Sequence, residues 1–438
     1  MFKRQILLIF NRNLIHCSPI LSRSIASLNP AISGNHDGRQ KKPSSSSTST
    51  SKHLYRNLFD WHNHIDLVKL LSKNIVYNDY GLIAISKPWG LGIHKSANNE
   101  IYCKNPSSAE QMLNSKIFGQ PKYSVADVLD LLGQFMHLNN RLHIIKALDR
   151  RWSGLLLLSE NQMIEKFVLK SIRRAKTQLL PPMHFYCIVN GLIPNIQIGH
   201  WYEERCGIRL TEIDELGKSK EPIYVPPNDM TRNIRKAGAN RDNKYVLGPV
   251  KPATIKYRVL AQNTDLAVSL IDLHTTTTKW SAIQCFLAYK TSFILGDTFF
   301  SYRVKHILGQ HITMATLKQK RLENWRHIDQ SFEPLSRQVC QKLGVRSNRE
   351  IPLMIHHYGL ILPQLLRPIR HLRKKSNQSI DADDDDVDQL KQLDRTNNIS
   401  IQTDDGDNDD LIIETNVNHL PGHFYRTLDR LDLNIFSS

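Results

Sequence analysis

A carboxylate, two arginines and a tight turn come together in one segment of the chain. Asp149 precedes Arg150 and Arg151, and the pair Ser153-Gly154 then leads into four leucines at 155–158. The leucines predict a buried element, and the Ser-Gly pair permits a close turn of the backbone. Asp149 would then lie at the edge of an apolar wall, where a carboxylate can act as a nucleophile or a general base. The alternative from these residues alone is a surface aspartate with solvated arginines ahead of a core strand.

Residues 146–154 resemble the catalytic motif of the RluA family of pseudouridine synthases, HRLDxxTSG. The Leu-Asp and Ser-Gly pairs of that motif are present, whereas its leading His-Arg and its Thr are replaced. Further stretches resemble other family motifs and follow in the family's order, at 75–91, 251–260, 293–297, 352–363 and 420–428. The resemblance therefore runs from residue 75 to residue 428.

This resemblance implies a fold, a reaction and a site. The expected fold is α+β, with a mixed, mainly antiparallel central sheet flanked by helices. The expected reaction converts uridine in RNA to pseudouridine after covalent attack by Asp149, and it needs no cofactor and no metal. The catalytic residues carried over from the family are Asp149, Lys279 and Phe185.

Phe185 departs from the family's pattern. It stands where the family has an active-site tyrosine, six residues before Gly191. A phenylalanine can stack on a uracil but cannot take a proton from it. The neighbouring Tyr186 does not replace that tyrosine, because adjacent side chains of a strand point to opposite faces.

Lys279 is the second departure. It occupies the first arginine position of the family's GRTHQIR motif, and Gln284 occupies the second. In the family the basic residue pairs with the catalytic aspartate and holds it ionised. A lysine keeps the charge without the planar fork of arginine, so Arg150 or Arg151 could take over the pairing with Asp149.

The net charge of +17 conceals a larger imbalance. Residues 381–410 contain twelve aspartates, one lysine and one arginine, a balance of −10, so the rest of the chain carries +27. Such a basic body fits a phosphate-backbone partner, and RNA is the predicted one. The predicted RNA contacts are Lys87, Arg150, Arg151, Arg173, Arg174 and Lys176, the last three on an amphipathic helix predicted over 166–176.

The chain is predicted to hold a single catalytic domain over 66–433, interrupted twice. The acidic insertion 371–410 is expected to be a disordered loop, and its functional alternative is an RNA mimic that shields the basic surface. The basic insertion 211–248 is either a solvated loop or a loop that grasps RNA. The six cysteines show no metal-knuckle spacing and no apolar run is long enough to cross a bilayer, so neither a zinc site nor a membrane span is predicted.

The N-terminal residues predict a destination. Residues 1–36 contain four Lys or Arg and no Asp or Glu, which is typical of a mitochondrial presequence. Residues 1–57 are thus predicted to be a presequence with a serine-rich linker, and the predicted location is the mitochondrial matrix. A disordered basic tail is the alternative.

Together these features predict isomerisation of specific uridines in a mitochondrial rRNA, mRNA or tRNA. The alternative is a catalytically impaired RNA-binding factor for mitochondrial ribosome assembly or RNA stability, with ribosome assembly proteins as its partners. A fold can persist after its reaction is lost, and the two altered motif positions are the reason to keep this alternative.

Overall fold

The fold is known from a computed structural model of the 438-residue chain. The structure describes residues 53–94, 118, 123–138, 140–212, 220–230, 250–307, 310–313, 334–371, 409–416, 419–433 and 435, all within the unit Lys52–Ser438. The predicted presequence, most of the basic insertion and residues 372–408 of the acidic insertion lie outside the described residues.

A large sheet dominates the described part of the chain. Its strands are β1 (Ile75–Asp79), β2 (Leu82–Lys87), β3 (His143–Lys146), β4 (Ser153–Ser159), β5 (Met183–Asn190), β6 (Tyr202–Glu212), β7 (Lys220–Val225), β8 (Val250–Asn263), β9 (Val268–Thr275), β10 (Phe293–Ile294), β13 (Ile355–Leu362) and β14 (Leu411–Glu414). The main path runs β1-β2-β4-β13-β5-β9-β8-β6-β7, while β3, β10 and β14 pair with β4, β5 and β13. Strands β11 (Val304–Ile307) and β12 (Gln310–Thr313) form a separate hairpin.

Helices flank this sheet. They are α1 (His64–Lys73), α2 (Leu129–Phe135), α3 (Gln162–Thr177), α4 (Ala282–Tyr289), α5 (Arg337–Leu343) and α6 (Gly422–Arg430). Helix α3 contains the helix predicted over 166–176, and Asn161 caps its first turn by accepting from the amide of Met163. All strand pairs of the large sheet are antiparallel except β4 with β13, so the predicted mixed, mainly antiparallel α+β fold is confirmed.

The four leucines at 155–158 form the centre of β4 and are all buried. Leu155 and Leu157 belong to the larger core, which includes the apolar face of α3. Leu156 and Leu158 belong to a second core with α1 and α2. Because successive side chains of a strand alternate between the two faces, an unbroken apolar run is what a strand covered on both faces requires.

Strand β13 is inserted between β4 and β5. Its His357 lies opposite Gly154 in the parallel pair with β4, and opposite Phe185 in the antiparallel pair with β5. The start of β4, and with it the end of the Asp149 turn, is thereby placed two strands from Phe185. Residues far apart in the sequence meet here because a third strand joins them.

Candidate active site

Asp149 lies on the turn that connects β3 to β4. The amide of Trp152 donates to the Asp149 carbonyl at 3.0 Å, which closes the turn. The Arg150 carbonyl accepts from the Gly90 amide at 2.9 Å, and the Arg150 Nε donates to the Gly90 carbonyl at 3.0 Å. Hydrogen bonds on both sides of Arg150 therefore tie the turn to the loop after β2.

Gly154 fixes the other end of this turn. Its φ of +116° lies in a region that favours glycine, and a Cβ added there would be 2.2 Å from the His357 carbonyl oxygen. The backbone of β4 thus approaches β13 more closely than a side chain at position 154 would allow. The Ser-Gly pair of the motif has a geometric reason: glycine is required by the close approach of two strands.

The carboxylate of Asp149 is half exposed, with 50% of its side chain accessible. It accepts from the amide of Arg151 at 2.9 Å and from the Arg151 Nε at 3.4 Å. Within the described residues there is no ion pair between Asp149 and Lys279, contrary to the pairing predicted for Lys279. Arg151, one of the two alternative partners predicted, takes that place because the turn brings it over a carboxylate only two residues away, so an accessible carboxylate lies next to a cation.

Lys87 was predicted to contact RNA, and the structure places it elsewhere. Its side chain is fully buried, and its Nζ donates to the carbonyls of Trp152 at 2.7 Å, Leu91 at 3.0 Å and Pro88 at 3.3 Å. Burial lowers the pKa of Lys87 to about 7, while the nearby Asp149 carboxylate acts in the opposite direction. An ammonium held by three carbonyls does not reach a ligand. Lys87 instead positions the Asp149 turn, because it donates to the Trp152 carbonyl at the end of that turn.

Phe185 lies inside the protein, with none of its side chain exposed. Trp152 meets its ring edge-on at a centroid distance of 5.5 Å, and His357 stacks on it at 4.6 Å. Tyr186 points to the other face of the sheet and stacks on Tyr358, as the alternation of strand side chains predicts. Trp152 therefore connects the Asp149 turn to Phe185, and a uracil could stack on Phe185 only after Trp152 or His357 has moved.

Four lysines gather at the end of the sheet that carries Lys279. Burial lowers the pKa of Lys176, and the charges of Lys279 and Lys251 lower it further. Burial, followed by the charge of Lys176, lowers the pKa of Lys146 to about 8. Within the described residues no carboxylate lies within 4 Å of any of these lysines, so no described acidic side chain compensates the charge of the lysine cluster (Lys146, Lys176, Lys251 and Lys279).

The backbone beside Lys279 is strained. Trp280 and Ser281 have φ values of 57° and 51°, two consecutive residues in the left-handed region. The Trp280 ring lies 3.6 Å from the Nζ of Lys251, a cation–π contact. Residues in this region cost free energy and persist only where the surrounding structure holds them, so the backbone after Lys279 is fixed by its packing.

Comparison with known proteins finds similarity to pseudouridine synthases. No family model matches the chain. It is 25% identical over 251 residues to the human protein named mitochondrial mRNA pseudouridine synthase RPUSD3, an overlap that covers 56% of this chain and 63% of the relative. The bovine RPUSD3 is 24% identical, with 68% of this chain and 72% of the relative covered. A rat protein, pseudouridylate synthase RPUSD4, mitochondrial, is 22% identical, with 68% and 64% covered.

The chain is related to the RluA-like pseudouridine synthases. The resemblance predicted from the motifs is thus confirmed. The solved structure titled human RNA pseudouridylate synthase domain containing 4 has a TM-score of 0.44 and 17% identity, and the match covers 85% of this chain and 97% of that one. The chain spans less than two thirds of the human and rat relatives' length.

Two groups of this RluA-like chain were missed in the sequence although they lie inside family motifs. Asp297 is buried and accepts from the amides of Phe299 and Phe300 at 2.8 and 2.9 Å. Burial raises the pKa of Asp297, whereas those amides and the charge of Arg151 oppose the rise. Arg151 therefore acts on two carboxylates, one exposed and one buried. The Gly296-Asp297 pair within the 293–297 motif was the signal that could have pointed to it.

The second missed group is a pair of buried histidines in β13. The ring of His356 contacts the Ser153 hydroxyl at 3.0 Å through Nδ1. Burial lowers the pKa of His356 to about 3 and that of His357 well below its usual value. Both rings are therefore neutral near pH 7, and they lie on opposite faces of the strand: His356 contacts Ser153, whereas His357 stacks on Phe185.

The remaining predicted contacts lie on the outer face of α3. Arg173 is exposed, Arg174 is half-buried and Lys176 belongs to the lysine cluster. Arg150 is bound to the Gly90 carbonyl. In the described part of the chain, no helix is long and apolar enough to cross a membrane, and no group of three His, Cys, Asp or Glu side chains is arranged to hold a metal ion.

Proposed function

We propose that the chain isomerises specific uridines to pseudouridine in RNA, with Asp149 as the nucleophile. The observation that carries this proposal is the Asp149 carboxylate itself. It is half exposed, paired with Arg151, and held on a turn that hydrogen bonds and Gly154 fix in place. An accessible carboxylate next to a cation, on a backbone held in place, meets the requirements of a nucleophile.

The target uridine must first leave its stack, which costs a few kcal/mol and is easiest in single strands or loops. Asp149 then attacks the nucleotide, either at the anomeric carbon of the sugar or at the base. The bond from the sugar to nitrogen 1 breaks, the uracil turns in the pocket, the bond from the sugar to carbon 5 forms, and the bond to Asp149 breaks, which returns the free carboxylate. Carbon 5 loses its proton and nitrogen 1 gains one, so the composition of the nucleotide does not change. Phe185 has no group that can take this proton.

The lysine cluster would neutralise the phosphates beside the reacting nucleotide. Lys279 and Lys176 then contribute by binding the RNA backbone, and Arg151 contributes by holding the Asp149 carboxylate in position. In this proposal Phe185 and Trp152 form the apolar wall against which the base turns. Opening of that wall by movement of Trp152 is a required step, because Phe185 is fully buried.

The proposed location is the mitochondrial matrix, and the proposed substrate is a mitochondrial mRNA, rRNA or tRNA. The names of the human, bovine and rat relatives support a mitochondrial role, and the acid-free residues 1–36 support import. The proposed catalytic domain spans 66–433, with insertions at 211–248 and 371–410. Deleting residues 1–36 should leave the protein in the cytosol, and an unchanged mitochondrial location would contradict the proposal.

The test of the reaction is Asp149→Asn in the full chain. This change keeps the size of the side chain and removes the nucleophile, so pseudouridine at the target sites should disappear while RNA affinity changes less than about twofold. Asp265→Asn, an exposed aspartate in the turn between β8 and β9, is the matched control and should modify RNA like wild type. Quantitative pseudouridine mapping of mitochondrial RNA, after depletion and rescue with each variant, is the measurement.

One observation favours the alternative of an RNA-binding factor that has lost the reaction. Phe185 replaces the family's tyrosine, and both Trp152 and His357 pack on its ring. If Asp149→Asn restores every modified site as well as wild type does, Asp149 is not the nucleophile and this alternative replaces the synthase. RNA binding would then be the whole function, supported by the same basic surfaces.

A further inference from the structure

A groove lies along α3, outside the candidate active site. It has a volume of about 250 Å³ and is lined by Phe167, Lys170, Arg174, Arg367, Pro368 and His371, among others. Three of these side chains are permanent cations, and Phe167 and Pro368 supply apolar surface. Lys170 and Arg174 are one helical turn apart and therefore share one flank of α3.

The described residues provide no acidic partner for the cations of this groove. Within the described residues no carboxylate lies within 4 Å of Lys170, Arg174 or Arg367. The neighbouring Arg370 differs, because it forms an ion pair with Asp409 at 3.3 Å. Cations that line a concave surface without compensation attract an anion, since the apolar walls reduce screening by water.

The walls of the groove are fixed before any ligand binds. The buried Ser171 hydroxyl donates to the Pro363 carbonyl at 2.8 Å, which joins α3 to the segment after β13. The amide of Gln364 donates to the Asp410 carboxylate at 2.8 Å, and the amide of Leu366 donates to the Asp409 carbonyl at 2.9 Å. A preformed site binds without the cost of ordering its own backbone.

The groove and the lysine cluster share α3. Lys176 of the cluster lies six residues after Lys170 of the groove, about 9 Å along the helix axis. The exposed Arg173 lies between them on the solvent side of the helix. The cations therefore form a continuous path from Lys279 across the surface of α3 to Arg367.

We propose that this groove binds the phosphate backbone of the RNA at a distance from the nucleotide that reacts. The proposal rests on the proposed function in naming RNA as the ligand. The contacts would be made by Lys170, Arg174 and Arg367 to phosphate oxygens, which every sequence presents alike. The groove thus sets how far the RNA must extend beyond its target uridine, and it carries no information about which uridine that is.

The test uses the full chain with Lys170→Gln, Arg174→Gln and Arg367→Gln combined. Its matched control removes the same charge from three exposed residues elsewhere, with Arg56→Gln, Lys69→Gln and Arg337→Gln. The dissociation constant for an RNA of about 30 nucleotides is measured by fluorescence anisotropy between about 0.05 and 0.3 M salt. For three single-strand phosphate contacts, the slope of log Kd against log salt should fall by about 2 in the groove variant and stay at the wild-type value in the control.

The affinity at about 0.1 M salt should weaken at least tenfold. Arg367→Gln alone changes one exposed residue and should reduce the slope by about 0.7. It keeps the proposal testable if the triple variant does not fold. A groove variant with wild-type affinity and slope would overturn the proposal. Tighter binding by the groove variant would also overturn it. That result would mean that the groove binds the chain's own acidic residues 381–408, and that their release from the groove exposes other cations to the RNA.

This experiment separates the groove from the proposed reaction. Binding is measured without turnover, so a weaker groove variant supports the groove even if no uridine is modified. If RNA modification depends on Asp149 and the groove variant binds RNA as wild type does, the groove proposal is refuted. The proposed synthase reaction then still stands.

Discussion

Two buried histidines make the stability of the protein sensitive to mild acid. His356 and His423 expose 0% and 7% of their surface. Burial lowers the pKa of His356 to about 3, helped by the nearby His423 and His419. Burial lowers the pKa of His423 to about 3 as well, helped by Arg426. In the unfolded chain each ring has an ordinary pKa of about 6.5, so protons bind the unfolded state first.

The direction and size of the effect follow from this difference. The stability that each neutral ring contributes is complete above about pH 6.5, and it is lost as the pH falls toward about 3, at about 1.4 kcal/mol per pH unit. Between about pH 7.5 and pH 5.0 each histidine therefore costs about 2 kcal/mol, and the pair costs about 4 kcal/mol. A domain with a typical stability of about 5 to 15 kcal/mol would lose a large part of it.

The assay is urea unfolding followed by tryptophan fluorescence at several values between about pH 7.5 and 5.0. His423→Gln removes one of the two titrations, so the pH dependence should shrink by about 2 kcal/mol whatever the change costs at neutral pH. His62→Gln is the control, because His62 is exposed, and its pH dependence should equal that of wild type. Comparison with wild type cancels the contributions of all other groups. The same pH dependence in His423→Gln and wild type would refute the reasoning.

Three further substitutions test the site. Gly154→Ala places a methyl group 2.2 Å from a β13 carbonyl and should destabilise the protein by about 3 kcal/mol or more. The control Gly199→Ala has open space around it and should cost about 1 kcal/mol of backbone strain. Both changes are measured by thermal unfolding. Lys87→Met leaves three buried carbonyls without a donor and should cost about 2 to 4 kcal/mol of stability. Lys146→Met removes a repelled charge and should be neutral or stabilising. Equal losses of stability would contradict the positioning role of Lys87. Phe185→Tyr should raise turnover or leave it unchanged if position 185 faces the uracil, and lower turnover in a variant of wild-type stability would contradict that placement.

The sequence predicted those features that depend on local pattern. The leucines at 155–158 are buried on both faces of a strand, and α3 lies where its basic face was predicted. Phe185 and Tyr186 point to opposite faces, because strand geometry allows nothing else. The order of the family motifs predicted the α+β fold, since each motif marks one of its strands or turns.

Contacts that depend on side-chain direction could not be predicted. A lysine that follows a strand is usually solvated, and no pattern shows that the Lys87 ammonium turns back into three carbonyls. The sequence left open whether Lys279, Arg150 or Arg151 pairs with Asp149, because the choice depends on the dihedral angles of one turn. The neutral state of His356 follows from burial by distant segments, which the sequence does not display.

The single parallel pair of the sheet bears on when the candidate site comes into existence. Gly154 lies against His357, so two residues 203 positions apart must meet before the end of the Asp149 turn takes its final shape. Because β13 is inserted between β4 and β5, those earlier strands cannot close on each other and must await the later one. Contacts so distant along the chain form slowly, since a long loop has to be closed before they contribute. A chain that emerges from a ribosome or a membrane pore therefore carries Asp149 in an unfinished turn until β13 has followed it, and a chain truncated before residue 355 could not complete that turn.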